Sequence, residues 1–542
     1  MIVNLQKYTR NELTTEICII GGGAAGTTLA KEFSDTKFNV TILESGELQE
    51  NNRIQELYNG EFSYSGLGFT KNTPGALQND RRRYWGGTTN IWGGMVATFD
   101  ADDFLERPWI PHSGWPFSKS HLEPYYKRAS RFLNVPEDRF SPVPRNLKNK
   151  PLDFGDDAIN TKIFFNVSNL KLGKIFLDEF KKSKNITVYL NASVVNINLN
   201  EGANSITSLS VSPNNLSKII NVKAKVYILA TGAIENARIL LNSDDVNPKG
   251  AGNNNDLVGR FFQGHGYTPT IHNSIHLLLD RKQNLNLYGN HNSNNSNNSN
   301  NSNNSNNSNI STKSNMFDIL RKSNENHNED TSNTFGFLRL SPELQKKHKL
   351  LNCYMSINAW SPVVGPNKLY NSVKNEYITL LKNLGIYESS KWHSVYSSML
   401  FEQEPNYDSR VILSNEVDWL NLRKAKVSAV ISQLQIDTMI SSYKILGDIL
   451  GENFKGKVRL KTNIEELFKN IHPSLAKHHI GTTKMHISKD KGVVDENCKS
   501  HYIDDLYVAG SSVFPTSSAT NPTFTIIAMA IRLADHLKRT LI

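Results

Sequence analysis

Three glycines at the spacing G-x-G-x-x-G carry the clearest chemical signal in this chain: Gly21, Gly23 and Gly26, in the run Gly21-Gly22-Gly23-Ala24-Ala25-Gly26. The first permits a tight turn, the second leaves room for a pyrophosphate, and the third lets helix and strand pack closely. The helix start that follows offers amide N–H groups and the positive end of its dipole to a phosphate. Glu44 lies 18 residues past Gly26, near the ~20 at which a carboxylate accepts from ribose hydroxyls. An acid there suits NAD or FAD and argues against a 2′-phosphate. These residues alone do not choose between the two, and a glycine turn that merely packs a helix on a sheet is the bland alternative.

A second constellation lies near the tail. His478 and His479 precede Gly481-Thr482-Thr483, and Asn521 precedes Pro522. Adjacent histidines do not share one helical face, and no second pair is nearby, so no metal site is expected. Asn521 can cap the helix that Pro522 begins, hold a substrate hydroxyl, or both. The chain has 15 histidines, so position alone singles out none. His265 and His486 read as structural, His479 as a supporting or buried residue, and Lys484 as a solvated charge.

The elements that must position these groups follow from local pattern. Ile17 to Ile20 reads as an apolar strand, the glycine run leads into a helix to Phe33, and Phe38 to Leu43 forms the next strand, a βαβ unit. Phe117 to Leu133 reads as a helix with Ser118 or Ser120 at its N-cap. Strands are expected at Ile186–Leu190, Ser193–Leu199 and Val226–Ala230, and helices at Glu235–Leu241 and Lys426–Leu450. Leu506 to Ala509 reads as a strand, Gly510 to Asn521 as a loop, and Thr523 to Leu537 as a helix opened by Pro522. Ser293 to Ser308 repeats Ser-Asn-Asn with period three. Such a tract cannot bury apolar surface, so residues 289–312 are expected to be a disordered surface insertion whose Asn-x-Ser sequons stay unmodified.

Composition narrows the class. Of 542 residues 38% are hydrophobic and 9% aromatic, which fits a globular protein. The net charge of +10 invites a nucleic-acid reading, but the basic residues are scattered and no recognition motif accompanies them, so no nucleic-acid partner is expected. Cys18, Cys353 and Cys498 are too far apart to suggest a disulfide framework. Met1 to Glu16 is polar with no apolar core of a secretory signal, and no apolar run reaches the length of a membrane span. A cytoplasmic protein without an integral membrane segment is expected.

Further motifs carry a resemblance. Tyr84-Trp85-Gly86-Gly87-Thr88-Thr89-Asn90-Ile91-Trp92-Gly93-Gly94-Met95 resembles the second glycine-rich signature of the glucose–methanol–choline (GMC) oxidoreductases. Ser113-Gly114-Trp115-Pro116-Phe117 with Leu122-Glu123-Pro124-Tyr125-Tyr126 is similar to a segment of the bacterial sugar and polyol dehydrogenase branch. Leu229-Ala230-Thr231-Gly232-Ala233, Asp256-Leu257-Val258-Gly259-Arg260 with His265, and Ser409 to Ser414 resemble further family landmarks. His478 to Met485 and Leu506 to Pro522 resemble its C-terminal active-site signatures. The matches keep the family's order from residue 17 to residue 538. The Asn-rich tract and the stretch around 310–400 are not covered.

The resemblance implies an α/β fold. A discontinuous Rossmann-like FAD domain would span residues 14–115, 185–265 and 470–542. A substrate domain with an antiparallel sheet would be inserted at 116–184 and 266–469. It implies FAD, lying extended past Gly21, Gly23, Ala24, Ala25, Gly26 and Glu44, then Gly86, Gly87 and Thr88. Val194, Ala230, Thr231, Gly232, Gly510, Ser511, Asn521, Pro522 and Thr523 complete the contacts. No histidine stands near Ile91 to bond the flavin, so non-covalent FAD is expected. The loop at Gly510-Ser511 more often reads Asp-Ala, which leaves that side-chain contact open. His478, three residues before Gly481, would be the general base, and Asn521 would orient the hydroxyl of an alcohol, polyol or sugar. Oxygen, a quinone or a cytochrome would take the electrons. A non-redox lyase on the same scaffold, a protein keeping FAD structurally and an NAD-dependent dehydrogenase are the rival readings.

Overall fold

The computed structural model of the chain describes residues 1–66, 69–135, 150–154, 157–167, 170–267, 275–280, 285, 287–288, 334–357, 392–453, 455–460 and 477–541. The Asn/Ser-rich tract lies outside the described residues.

Six strands form one parallel sheet in the order Ile2–Asn4, Ile186–Leu190, Val40–Leu43, Ile17–Ile20, Val226–Leu229, Leu506–Val508. The three central strands are buried at every position. Their unbroken apolar runs are what a sheet covered on both faces demands. Head, middle and tail of the chain therefore meet in one Rossmann-like sheet. The helix Thr523–Thr540 packs on both Ala24–Phe33 and Lys119–Phe132. Arg128 ties the three together, pairing with Glu32 and with Asp535.

A second sheet of six strands is antiparallel throughout. Its order is His265–Tyr267, Met399–Glu402, Cys353–Met355, Thr334–Leu340, Ile159–Asn166, Met95–Val96. Smaller sheets flank these two. Around Glu235, buried at the start of the Ala233–Asn242 helix, Arg81, Arg83 and Arg238 converge within 2.9–3.3 Å. Burial alone would raise this carboxyl, but the three guanidiniums outweigh it and hold it at about 2. Arg81 and Arg83 of the run Arg81-Arg82-Arg83 are thus held inside the fold.

The expected helix Lys426–Leu450 begins as a strand. Arg423–Val430 pairs antiparallel with Arg410–Val417 and parallel with Gly60–Gly66. Ala425, Val427 and Ala429 are buried while their neighbours are only partly so, a period of two and not 3.6. The helix begins only at Gln433, where Ser432 and Gln435 form a capping box. No helix among the described residues is long and apolar enough to cross a membrane.

Candidate functional site

The parallel strands end in register, and the expected cofactor residues follow those ends. Gly21 follows Ile20, Glu44 follows Leu43, Ala230-Thr231-Gly232 follow Leu229, and Gly510 comes two residues after Val508. A Cβ on Gly26 would lie 1.9 Å from the Gly21 carbonyl oxygen, so close helix–strand packing excludes any side chain there. Elsewhere the glycines leave room. A Cβ on Gly23 or Gly232 would meet nothing within 4 Å, and one on Gly510 would meet only the Ala25 Cβ at 4.0 Å. Three strand-to-helix turns therefore hold open space before bare backbone, as close approach of a ligand requires.

Glu44 is buried, and both its oxygens already accept backbone amides, Oε2 from Gly22 (2.8 Å) and Oε1 from Gly46 (2.7 Å). Burial raises its pKa against the pull of those amides and of Arg83. Val194, buried opposite Val211, is placed beside this strand end by the Ala192 amide, which donates to the Glu44 carbonyl at 2.9 Å. The second glycine turn lies against the first. The Gly86 amide donates to the Gly22 carbonyl (2.9 Å), a Cβ on Gly87 would stand 3.2 Å from the Gly23 Cα, and Thr88 Oγ1 accepts from the Arg82 amide (3.2 Å). Thr231 donates to Asn236 Oδ1 through both N–H and Oγ1. Asn236 Nδ2 in turn donates to the Ala509 carbonyl and Ser512 Oγ, which ties the Thr231 turn to the tail.

The tail loop carries the acid–base candidates. Ser511 Oγ donates to the His479 carbonyl at 2.7 Å, and the amides of Gly481, Thr483 and Met485 donate to Ser511, Ser512 and Val513. His478 is half-buried, with its Nδ1 2.9 Å from Nδ1 of His265 and the two rings edge to face. His265 is fully buried, and its Nε2 lies 3.1 Å from the Ser517 carbonyl. Burial holds His478 well below the usual imidazole range, lowers His265 to about 4 and lowers His479 to about 3.

From Ser517 the loop runs beneath the antiparallel sheet. His265 holds it at one edge strand, and Tyr354 meets Thr520 Oγ1 (2.8 Å) in the middle. At the other edge strand Asn521 Nδ2 donates to the Met95 carbonyl (2.7 Å). Asn521 Oδ1 is buried without a hydrogen-bond partner among the described residues. Asn521 does not cap the helix that follows, because Pro522 stands at the cap and no side chain serves the first turn. Thr523 opens that helix with its first N–H groups uncapped, the positive end of an 18-residue element.

Underneath, Asp103 Oδ2 accepts from Ser518 Oγ (2.6 Å), Oδ1 accepts from Asn352 Nδ2 (2.9 Å), and the Asp103 carbonyl accepts from Thr516 Oγ1 (2.9 Å). Burial, then the charges of Asp100, Asp102 and Glu402, push Asp103 up to about 7 against the pull of Arg107. Arg107 binds Glu402 through two hydrogen bonds, both residues buried. Arg339, Lys162 and the Tyr354 hydroxyl all engage Asp100.

The structure thus brings the glycine turns together, and joins His478 and Asn521 to the single loop that leaves Gly510. Sequence reasoning missed His265, Asp103 and Tyr354. For His265 the signal was the extended stretch after Gly259, which pairs with the His478 segment. Lys484 is corrected: it is 3% exposed, donates to the His112 carbonyl (3.2 Å) and lies over the Phe261 ring, and burial lowers it to about 8.

Comparison with known proteins gives a partial likeness. The GMC oxidoreductase family model matches residues 405–530. Over that stretch the chain is similar to the GMC oxidoreductases. Pyranose 2-oxidase of Tricholoma matsutake is 38% identical over 63 residues, 12% of this chain and 11% of the relative. The 6'''-hydroxyparomomycin C oxidase of Streptomyces lividus is 22% identical over 300 residues, 45% of this chain and 53% of the relative. The chain therefore matches about half of one relative's length and about a tenth of the other's. Formate oxidase of Aspergillus oryzae superposes with a TM-score of 0.55 at 14% identity, over 98% of this chain and 99% of that one. That likeness speaks to the fold, which is the α/β fold of GMC flavoenzymes.

Proposed function

We propose that this chain is a GMC-type, FAD-dependent oxidoreductase that takes a hydride from the CH–OH carbon of an alcohol, polyol or sugar. The observation that carries this reading is the course of residues 510–521. They start at one of the three open glycine turns, hold the His478 segment through Ser511, and end on Asn521 with an unpartnered amide oxygen. Gly23, Gly232 and Gly510 would face the extended dinucleotide, with Glu44 at its ribose and the uncapped start of the Thr523 helix toward the flavin. FAD, held non-covalently, supplies the hydride acceptor.

His478 takes the hydroxyl proton at Nε2, which has no hydrogen-bond partner among the described residues. Its depressed pKa keeps it unprotonated and ready to accept near neutral pH. Asn521 has one N–H committed to Met95, which leaves a second N–H and Oδ1 to orient the hydroxyl. Asn521 is buried and His478 half-buried. In this reading residues 14–115, 185–265 and 470–542 form the cofactor domain and 116–184 with 266–469 the inserted substrate domain. The electrons pass on to oxygen, a quinone or a cytochrome. The test is a spectrum of the purified protein followed by anaerobic addition of sugars, polyols and alcohols. A flavin spectrum bleached by at least one of them supports the reading. A flavin that none of them bleaches contradicts it.

A further inference from the structure

We propose that His265 is a positioning residue that fixes the proton of His478 on Nδ1 and so presents the bare Nε2 to substrate. This rests on the reading of His478 as the base. The register comes first. Gln263 and Ile480 exchange both backbone hydrogen bonds at 2.9 Å in an antiparallel bridge. His265 lies two residues after Gln263 and His478 two before Ile480, so the bridge brings the two rings to the same side, with centroids 4.8 Å apart. The Gly264 amide, held by Gln403 Oε1 at 2.8 Å, and the pairing of His265 with Glu402 lock the His265 side of that bridge.

The proton count then has one solution. The Ser517 carbonyl can only accept, so His265 Nε2, 3.1 Å away, carries a hydrogen. His265 is sealed from solvent, and a charged imidazolium there is unfavourable. A neutral ring protonated on Nε2 has a bare Nδ1. Two bare nitrogens cannot sit 2.9 Å apart without repulsion, so the hydrogen between the rings belongs to His478 Nδ1. His478 is left with a lone pair on Nε2. His265 and His479, both neutral, are the titratable neighbours that act on His478. When Nε2 takes the hydroxyl proton, the Nδ1–H bond to His265 strengthens and spreads the new charge. This is the work a carboxylate does in other acid–base pairs, done here by a neutral ring that adds no buried charge.

Two variants and one spectrum test this in the flavin-loaded protein. In the wild type, 15N NMR of histidine-labelled protein, with the His478 signal identified by its loss in His478→Gln, should show Nδ1 protonated and Nε2 bare. His265→Leu removes the acceptor. It should mix the tautomers, shift the apparent pKa of the base in the pH profile of flavin reduction, and slow that step about 10- to 100-fold. His265→Gln can accept from His478 and donate to Ser517 at once, and should recover most of the rate and the pKa. A wild-type His478 protonated on Nε2 overturns the proposal. So does a His265→Leu protein with unchanged tautomer, rate and pKa. Should His265→Leu fail to fold, the wild-type spectrum and His265→Gln decide alone. Should no alcohol or sugar reduce the wild-type flavin, the proposed oxidation fails, while the tautomer spectrum still reports on His265.

Discussion

Asn521 Nδ2 donates to the Met95 carbonyl at 2.7 Å, binding the last residue of the tail loop to the end of the second glycine motif. The bond spans more than four hundred residues and sets which edge of the amide remains free. Asn521→Ala removes both the anchor and the hydroxyl contact. It is expected to lower the rate constant of flavin reduction about 10²- to 10³-fold, the usual cost of losing one such donor, with FAD content retained. Stopped-flow reduction with the best panel substrate measures this. An unchanged rate takes Asn521 out of the reaction.

The last two glycines of the first motif, Gly23 and Gly26, should behave oppositely. Gly26→Ala drives a Cβ into the Gly21 carbonyl oxygen, so the chain should misfold or lose most of its stability. Gly23 has an extended backbone (φ −80°, ψ −162°) and open space ahead of it. Gly23→Ala should therefore leave the apoprotein as stable or about 0.4–1 kcal/mol more so, while FAD affinity falls. Thermal melts of apoprotein and flavin titrations separate the two effects. A Gly23→Ala protein that binds FAD like wild type would mean that no phosphate approaches there.

Two buried imidazoles should make acid weaken the fold, against the opposite pull of Asp103, whose raised value of about 7 favours the folded state as the pH falls. His265 and His479 have folded-state values of about 4 and about 3, below the ordinary 6.5. The unfolded chain therefore binds more protons between pH 6.5 and 4. Their contribution is complete above pH 6.5 and is lost as the pH falls toward those values. Denaturant unfolding should show stability falling across this window, and His479→Gln should flatten the slope. A wild-type stability constant from pH 7 to 4 contradicts the burial of these rings.

Lys484 carries the same sign in a higher pH window. Its folded-state value of about 8 lies below the ordinary 10.5, so burial of the ammonium costs stability below pH 8, and the cost fades between pH 8 and 10.5. Lys484→Met keeps the stem over Phe261 and removes the charge. At pH 7 it should be more stable than wild type by about 1–3 kcal/mol, with the gap closing as the pH rises. A destabilised variant at pH 7 would mean that the hydrogen bond to the His112 carbonyl outweighs the desolvation.

What the sequence made legible was local. Ile17–Ile20 and Ile186–Leu190 form strands at the expected residues, because unbroken apolar runs in a parallel sheet need no distant partner to be recognised. The glycine spacing and the Pro522 helix start were readable for the same reason. The rest depends on contacts no window contains. His265 meets His478 across 213 residues, and Asp103 meets Ser518 across 415. Lys484 looks like a surface charge until the Phe261 ring covers it. The Lys426–Val430 strand was misread because its helical neighbour drew the period, although Ser432 and Gln435 already marked where the helix begins.

The account stands or falls on His478 as the base beside a bound flavin. The direct measurement is anaerobic mixing of His478→Ala, purified with its FAD, against the substrate that bleaches the wild-type flavin fastest. The flavin of the variant should stay oxidised over times that bleach the wild type completely, with the loss about 10²- to 10⁴-fold in rate. Bleaching at the wild-type rate would contradict it, since the proton would then be leaving the hydroxyl by another route.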